Sequence, residues 1–155
     1  MNAPAGSSPE SLRDILSTAS TIALEAGAIL LEGQSVMARN RGSGIRYKTS
    51  DIDPVTEYDE LSERHISTAL RRHYPHHQLI GEEGGVYPTT ASASGADNLT
   101  WHIDPLDGTV NFAHGFPLYC VSLGLVRGDE PVLGVVYLPA LNELFTACTG
   151  SGTRL

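Results

Sequence analysis

The sequence predicts an α+β fold in which two long N-terminal helices pack on a largely antiparallel sheet. Three observations carry this. Apolar residues recur every three or four positions from Leu12 to Leu30, the spacing of one helix face. A second stretch, from Thr56 to Tyr74, has an apolar side formed by Leu61, Ile66, Ala69 and Leu70. From Leu118 onward, apolar runs alternate with the turn signals RGDEP and PALN, the pattern of an antiparallel meander.

Residues 1–8 are expected to form a frayed, disordered tail, and residues 9–155 the folded portion. Ser8-Pro9-Glu10 reads as a helix start, with Ser8 as N-cap and Pro9 in the first turn. The first helix is expected to end at Gly33. Residues 39–54 are polar and contain glycine. They read as a loop or mobile hairpin with Ile45 and Tyr47 as strand positions. Thr56 is the expected cap of the second helix, with Asp59 as the partner residue of a capping box. Tyr74-Pro75 ends that helix.

Gln78–Gly81 is a short strand running into Glu82-Glu83. Residues 86–99 read as a surface loop. Thr100–Ile103 is a second short strand running into Asp104. The meander then supplies three strands. The last residues, CTGSGTRL, read as a hairpin turn with no returning strand.

The chain has 155 residues, enough for one domain with a core. It is 41% hydrophobic and 18% charged, with 18 acidic against 10 basic residues and a net charge of −8. Lys48 is its one lysine. No basic patch stands out, which argues against nucleic acid or an anionic membrane as partner. No apolar run reads as a membrane span and no signal peptide is visible, so a cytoplasmic location is expected. Cys120 and Cys148 lie in apolar strand-like runs and are expected to be buried, unpaired hydrophobes.

An acidic surface repels phosphate, so any phosphate chemistry here needs metal cations to reverse the local sign. The segment WHIDPLDGTVNF, Trp101 to Phe112, places Asp104 at a strand end and Asp107 before Gly108-Thr109. Asp107 is expected to cap a short helix starting at Gly108, with the amides of Gly108 and Thr109 facing an anion. The alternative is a plain turn, since Asp-Pro and Asp-Gly are common there. Glu82 and Glu83 sit at another strand end, between Gly81 and Gly84. One is expected to bind metal and the other to act behind it; the alternative is a solvated acidic loop. Asp59 either completes a helix cap or orients the hydroxyl of Thr109. Together Asp53, Asp59, Glu82, Glu83, Asp104 and Asp107 form an acid cluster that Arg46 and Lys48 are too few to balance. Oxygen-rich clusters of this kind favour Mg2+ or Mn2+ over zinc. His73, His76 and His77 fit no zinc spacing and read as a solvated helix end. Asn111, Phe112, Phe116 and Pro117 shape the short helix and the strand after it, and His114 is a weak candidate for general acid.

Ile80-Gly-Glu82-Glu83 with Trp101-His-Ile-Asp104-Pro-Leu-Asp107-Gly-Thr109 resembles the inositol monophosphatase family of Mg2+-dependent, lithium-sensitive phosphatases. Asn111-Phe-Ala-His114-Gly-Phe-Pro117, Val121-Ser-Leu and Asp53-Pro-Val-Thr56 extend the likeness to nearly the whole chain from about residue 10. The resemblance implies part of the layered α/β sandwich of the sugar phosphatase superfamily. It implies a first metal held by Glu82, Asp104 and the Leu106 carbonyl, and a second held in part by Asp104 and Asp107. The complete site would take two or three Mg2+ ions, with Mn2+ an alternative. It implies that Glu83, Asp59 and Thr109 position the attacking water, and that Asp107 with the Gly108 and Thr109 amides binds substrate phosphate. Lys48 would lie in a mobile loop nearby.

The expected reaction is hydrolysis of a small phosphate monoester, inositol 1-phosphate first, by metal-activated water. The alternatives are a related phosphatase for a sugar bisphosphate, nucleotide bisphosphate or histidinol phosphate, or a non-catalytic metal- or phosphate-binding fragment. The resemblance further implies a C-terminal half, carrying another metal-binding aspartate, that this chain lacks. It implies homodimers for full-length forms. The 155-residue chain alone is therefore expected to have little activity and poor solubility.

Overall fold

A computed structural model of the chain describes residues 11–39, 45–47, 54–82, 84–87 and 98–155. The expected tail and the Ser8-Pro9 start lie outside these residues. The first helix, α1, spans Leu12–Arg39. Ser11 caps it: its hydroxyl accepts from the Asp14 amide at 3.2 Å and donates to Asp14 Oδ2 at 2.6 Å. Gly33 does not end the helix. It is buried inside α1, and a Cβ there would lie 2.4 Å from the Tyr58 ring. The glycine serves close packing between two elements rather than a stop, which is why the helix runs on past it. α1 is long and apolar enough to cross a membrane by length and composition, contrary to the sequence reading. In this fold Ala19, Ala23, Ala26 and Leu30 are fully buried along one stripe.

Two short strands, β1 (Ile45–Tyr47) and β2 (Pro54–Thr56), pair antiparallel, as a hairpin through this region requires. The next residue begins α2, Glu57–His73. Its buried face is Asp59, Ser62, Glu63, Ile66, Ser67 and Leu70. The expected apolar side is half right. Ile66 and Leu70 are fully buried, but Leu61 and Ala69 are only partly so. The helix is turned so that polar residues face inward, where strand ends supply partners for them.

The remaining strands are β3 (Gln78–Gly81), β4 (Gly85–Tyr87), β5 (Leu99–Asp107), β6 (Cys120–Arg127), β7 (Glu130–Leu138), β8 (Glu143–Cys148) and β9 (Gly152–Arg154), with a short helix α3 (Thr109–Ala113) after β5. Among the described residues they form one sheet in the order β4-β3-β5-β6-β7-β8-β9. Only β3 and β5 run parallel; every other neighbouring pair is antiparallel. The meander β6-β7-β8 matches expectation. β4 occupies the start of the expected 86–99 loop, and β9 supplies the return strand thought to be missing.

The register Leu79↔Trp101↔Leu125↔Leu133 and Ile103↔Leu123↔Val135 puts these side chains on one face. They join the stripes of α1 and α2 in a single core. Each fully buried Leu or Val in it contributes roughly 1.5–3 kcal/mol. Thr100, His102, Ser122, Gly124 and Val136 fall on the opposite face and are all at least partly exposed. Both cysteines are free; Cys148 is buried, whereas Cys120 is only half-buried, on that opposite face.

Candidate active site

Parallel pairing of β3 with β5 brings two acidic strand ends side by side. Gly81 lies opposite Ile103, and the Glu82 amide donates to the Ile103 carbonyl at 3.2 Å. Glu82 therefore leaves β3 where Asp104 is reached in β5. β5 does not stop at Ile103 as expected but continues through Asp107. Its ladder with β6 pairs Asp104 with Ser122 and Asp107 with Cys120, so β5 carries one residue more than β6 across this step. That is a β-bulge, and Pro105 sits within it, where a missing N–H costs no ladder bond. In a regular strand Asp104 and Asp107 would point to opposite faces. The extra residue puts both on the face of Ser122 and Cys120.

The electrostatics report this crowding. The Asp104 carboxyl is pushed up to about 7, first by burial, then by the negative charges of Glu82 and Asp107. The Leu106 amide, donating to Asp104 Oδ1 at 3.2 Å, works the other way, and a shared hydrogen bond with Glu82 favours the protonated form. Cys120 Sγ lies 3.7 Å from Asp107 Oδ2. Burial and the charges of Asp107 and Asp104 push this thiol up to about 12, so it stands beside the acids as a neutral donor. Nothing in the sequence spacing marked Cys120 as a neighbour of the site.

Thr109 ties a third element in. Its hydroxyl lies 3.2 Å from Asp59 Oδ1 and 3.0 Å from the Leu106 carbonyl, both acceptors. Asp59 is 2% exposed. The expected cap by Asp107 is not seen. The N-cap position of α3 is Gly108 (φ 92°, ψ 37°), with no side-chain cap bond, because Asp107 is still held in β5 opposite Cys120. A Cβ at position 108 would also lie 3.0 Å from the Leu118 carbonyl. The amides of Gly108 and Thr109 open a helix and so have no intrahelical acceptors. Asn111 holds the far side of α3, donating to the Leu118 carbonyl at 2.7 Å.

The buried polar face of α2 reaches both acidic loops. Besides Asp59, the Ser62 hydroxyl donates to the Pro105 carbonyl at 3.0 Å. Glu63 Oε1 accepts from the Gly84 amide at 2.7 Å and the Tyr87 hydroxyl at 2.5 Å. Sequence reasoning missed Ser62, Glu63 and Tyr87. The available signal was polar residues at helical spacing in line with Ile66 and Leu70.

Glu83, Asp53 and Lys48 lie outside the described residues, and Arg46 is described only as a backbone position of β1, opposite Val55. His114 is exposed at the C-terminal end of α3. His77 Nδ1 lies 3.1 Å from Trp101 Nε1, and its ring stacks on Tyr74 at 5.0 Å. Among the described residues, no three His, Cys, Asp or Glu side chains stand together at metal-ligating spacing. Asp104 nonetheless lies near enough to Glu82 and Asp107 to feel both charges, and the Leu106 carbonyl, which accepts from Thr109, follows in the same strand; all are oxygen donors. Hard divalent cations take that set, and the mutual repulsion felt by Asp104 is the strain such an ion relieves. In donor chemistry and charge these residues fit a divalent cation, although the three carboxylates are not gathered at ligating distance.

The model of the inositol monophosphatase family matches residues 11–155. An inositol monophosphatase of Mesembryanthemum crystallinum is 43% identical over 148 residues, covering 93% of this chain and 50% of that protein. A fructose-1,6-bisphosphatase/inositol-1-monophosphatase of Aquifex aeolicus is 38% identical, covering 92% and 50%. Among solved structures, an IMPase of Thermotoga maritima superposes with TM-score 0.77 at 35% identity, covering 91% of this chain and 50% of that one. The chain thus spans about half the length of the curated relatives it matches.

Proposed function

Because the chain belongs to the inositol monophosphatase family, we propose that it forms the acid-rich part of a metal-dependent phosphatase for small phosphate monoesters, with inositol 1-phosphate as substrate. The observation that carries this reading is the meeting of Glu82, Asp104 and Asp107 at adjacent strand ends, beside a threonine hydroxyl held by Asp59.

Glu82, Asp104, Asp107 and the Leu106 carbonyl would hold the cations, Mg2+ or Mn2+, two or three in the complete site. When bound, such ions supply Lewis acidity and neutralise charge on the phosphate. The chain's own groups do the rest. Thr109 has one hydroxyl proton, directed at Asp59 or the Leu106 carbonyl, which leaves its oxygen lone pairs to accept a proton from water. Asp59 takes up the Thr109 proton as the water oxygen attacks phosphorus. Glu83 aligns the same water. Asp107 and the amides of Gly108 and Thr109 orient the phosphate; the ester oxygen leaves with a proton taken from a solvent water, and Asp59 gives its own proton back to solvent, which closes the balance.

A second reading has support in the Aquifex aeolicus relative, whose name joins two substrates. On that reading a sugar bisphosphate is accepted as well. The test is phosphate release from inositol 1-phosphate and fructose 1,6-bisphosphate with Mg2+, by this chain alone and joined to the second half of a relative. Mg2+-dependent release that Asp107→Asn removes is the expected result. Release from neither substrate in the joined form would sink both readings and leave a non-catalytic metal-binding role.

A further inference from the structure

Glu63 takes no part in the chemistry above, yet it is a carboxylate 2% exposed, four residues after Asp59 on α2. A buried carboxylate is costly unless hydrogen bonds hold it. Two of those bonds come from one place. Gly84 N donates at 2.7 Å and the Tyr87 hydroxyl at 2.5 Å, both to Oε1. Gly81 and Gly84 flank the Glu82-Glu83 turn. A Cβ at Gly81 would lie 2.1 Å from Glu63 Oε1, and one at Gly84 would lie 2.8 Å from it. The carboxylate fills the space that any side chain at either position would need. Arg71 stands 4.8 Å over the Tyr87 ring and backs the contact from outside.

We propose that Glu63 is a positioning residue for the metal-binding turn: through the backbone of Gly84 and Gly81 it fixes where Glu82 stands relative to Asp104. This rests on the phosphatase reading above. The argument is one of rigidity. Asp59, Ser62 and Glu63 lie on one face of one helix, one turn apart. Asp59 binds Thr109, Ser62 binds the Pro105 carbonyl, and Glu63 binds the Glu82 turn. α2 is therefore a single rod gripping both acid-bearing loops, and Glu63 is its grip on one of them. Outer residues that orient metal ligands typically matter about 10–100-fold in metal affinity.

The test compares Glu63→Ala, Glu63→Gln and Leu70→Ala in the 155-residue chain. Mn2+ binding is followed by electron paramagnetic resonance, and exchange of the Gly84 amide by NMR without metal. Glu63→Ala should weaken Mn2+ about 10–100-fold and unprotect Gly84. Glu63→Gln keeps an acceptor oxygen and should restore both. Leu70→Ala, a core truncation elsewhere on α2, should lower the melting temperature and leave Mn2+ affinity unchanged. If Glu63→Ala does not fold, Tyr87→Phe carries the test, with faster Gly84 exchange and weaker Mn2+ binding expected. Wild-type affinity in a folded Glu63→Ala or Tyr87→Phe variant would overturn the role. So would affinity loss in Leu70→Ala equal to that in Glu63→Ala. A wild-type chain that protects Gly84 but binds no Mn2+, alone or joined to the second half of a relative, would instead overturn the phosphatase reading, and the role with it.

Discussion

Thr109 and Asp59 are 50 positions apart in the chain, and the hydroxyl of one lies 3.2 Å from the carboxylate of the other. The bond joins the start of α3 to the first turn of α2. It also fixes what the threonine offers to a neighbouring water, since its proton is already committed. Thr109→Val keeps the shape and removes the hydroxyl. The expected outcome is a fall in kcat for phosphate release of about 10²–10⁴-fold with little change in KM, while Thr109→Ser retains most activity. Steady-state kinetics on the joined form described above checks it.

Mg2+ should raise the melting temperature of the wild-type chain, because an ion bound only by the folded state stabilises it by mass action. Asp104→Asn removes one of three mutually repelling carboxylates. The metal-free variant should melt higher than the metal-free wild type, and Mg2+ should no longer shift it. Differential scanning calorimetry with and without chelator reads both effects.

Gly33→Ala gives a result opposite to helix propensity. Alanine in a helix interior normally gains about 1 kcal/mol over glycine. Here the new methyl would meet the Tyr58 ring at 2.4 Å. The net effect should be a loss of about 1–3 kcal/mol. Urea unfolding measures it, and combining Gly33→Ala with Tyr58→Leu should recover part of the loss.

Tyr87 gives a pH signature. Burial first, then the hydrogen bond and charge of Glu63, push its phenol from 10.0 up to about 12, with Ser67 and Arg71 opposing. The folded chain thus keeps this proton where the unfolded chain has lost it. Its contribution is fully present below pH 10 and disappears as pH rises from 10 towards about 12. Tyr87→Phe should flatten that part of the stability profile. At pH 7 it should cost about 1–3 kcal/mol, through the lost bond to Glu63. Chemical denaturation across the alkaline range tests both.

Much of this was legible in the residues. The strand that runs into Glu82 was readable because its short β-favouring run stops at glycine; that a strand leads into Asp104 was readable too, but not that it continues to Asp107. The meander was readable from its turns. What sequence reasoning got wrong depends on contacts between distant segments. Gly33 looks like a stop until Tyr58 is seen against it. Asp107 looks like a cap until the bulge keeps it in β5. Glu63 looks like a solvated helix residue because its partners, Gly84 and Tyr87, are more than 20 positions away.

The extra residue in β5 has a further consequence. Removing one residue between Asp104 and Asp107 would let the two strands zip together without interruption, and the shortened pair would be a more regular sheet. It would also swing Asp107 through to the helix-covered side, among Ile103 and Leu123. At this one step of the chain the most comfortable backbone and the one that gathers the acids are different structures, so selection for tighter folding alone would erase the gathering.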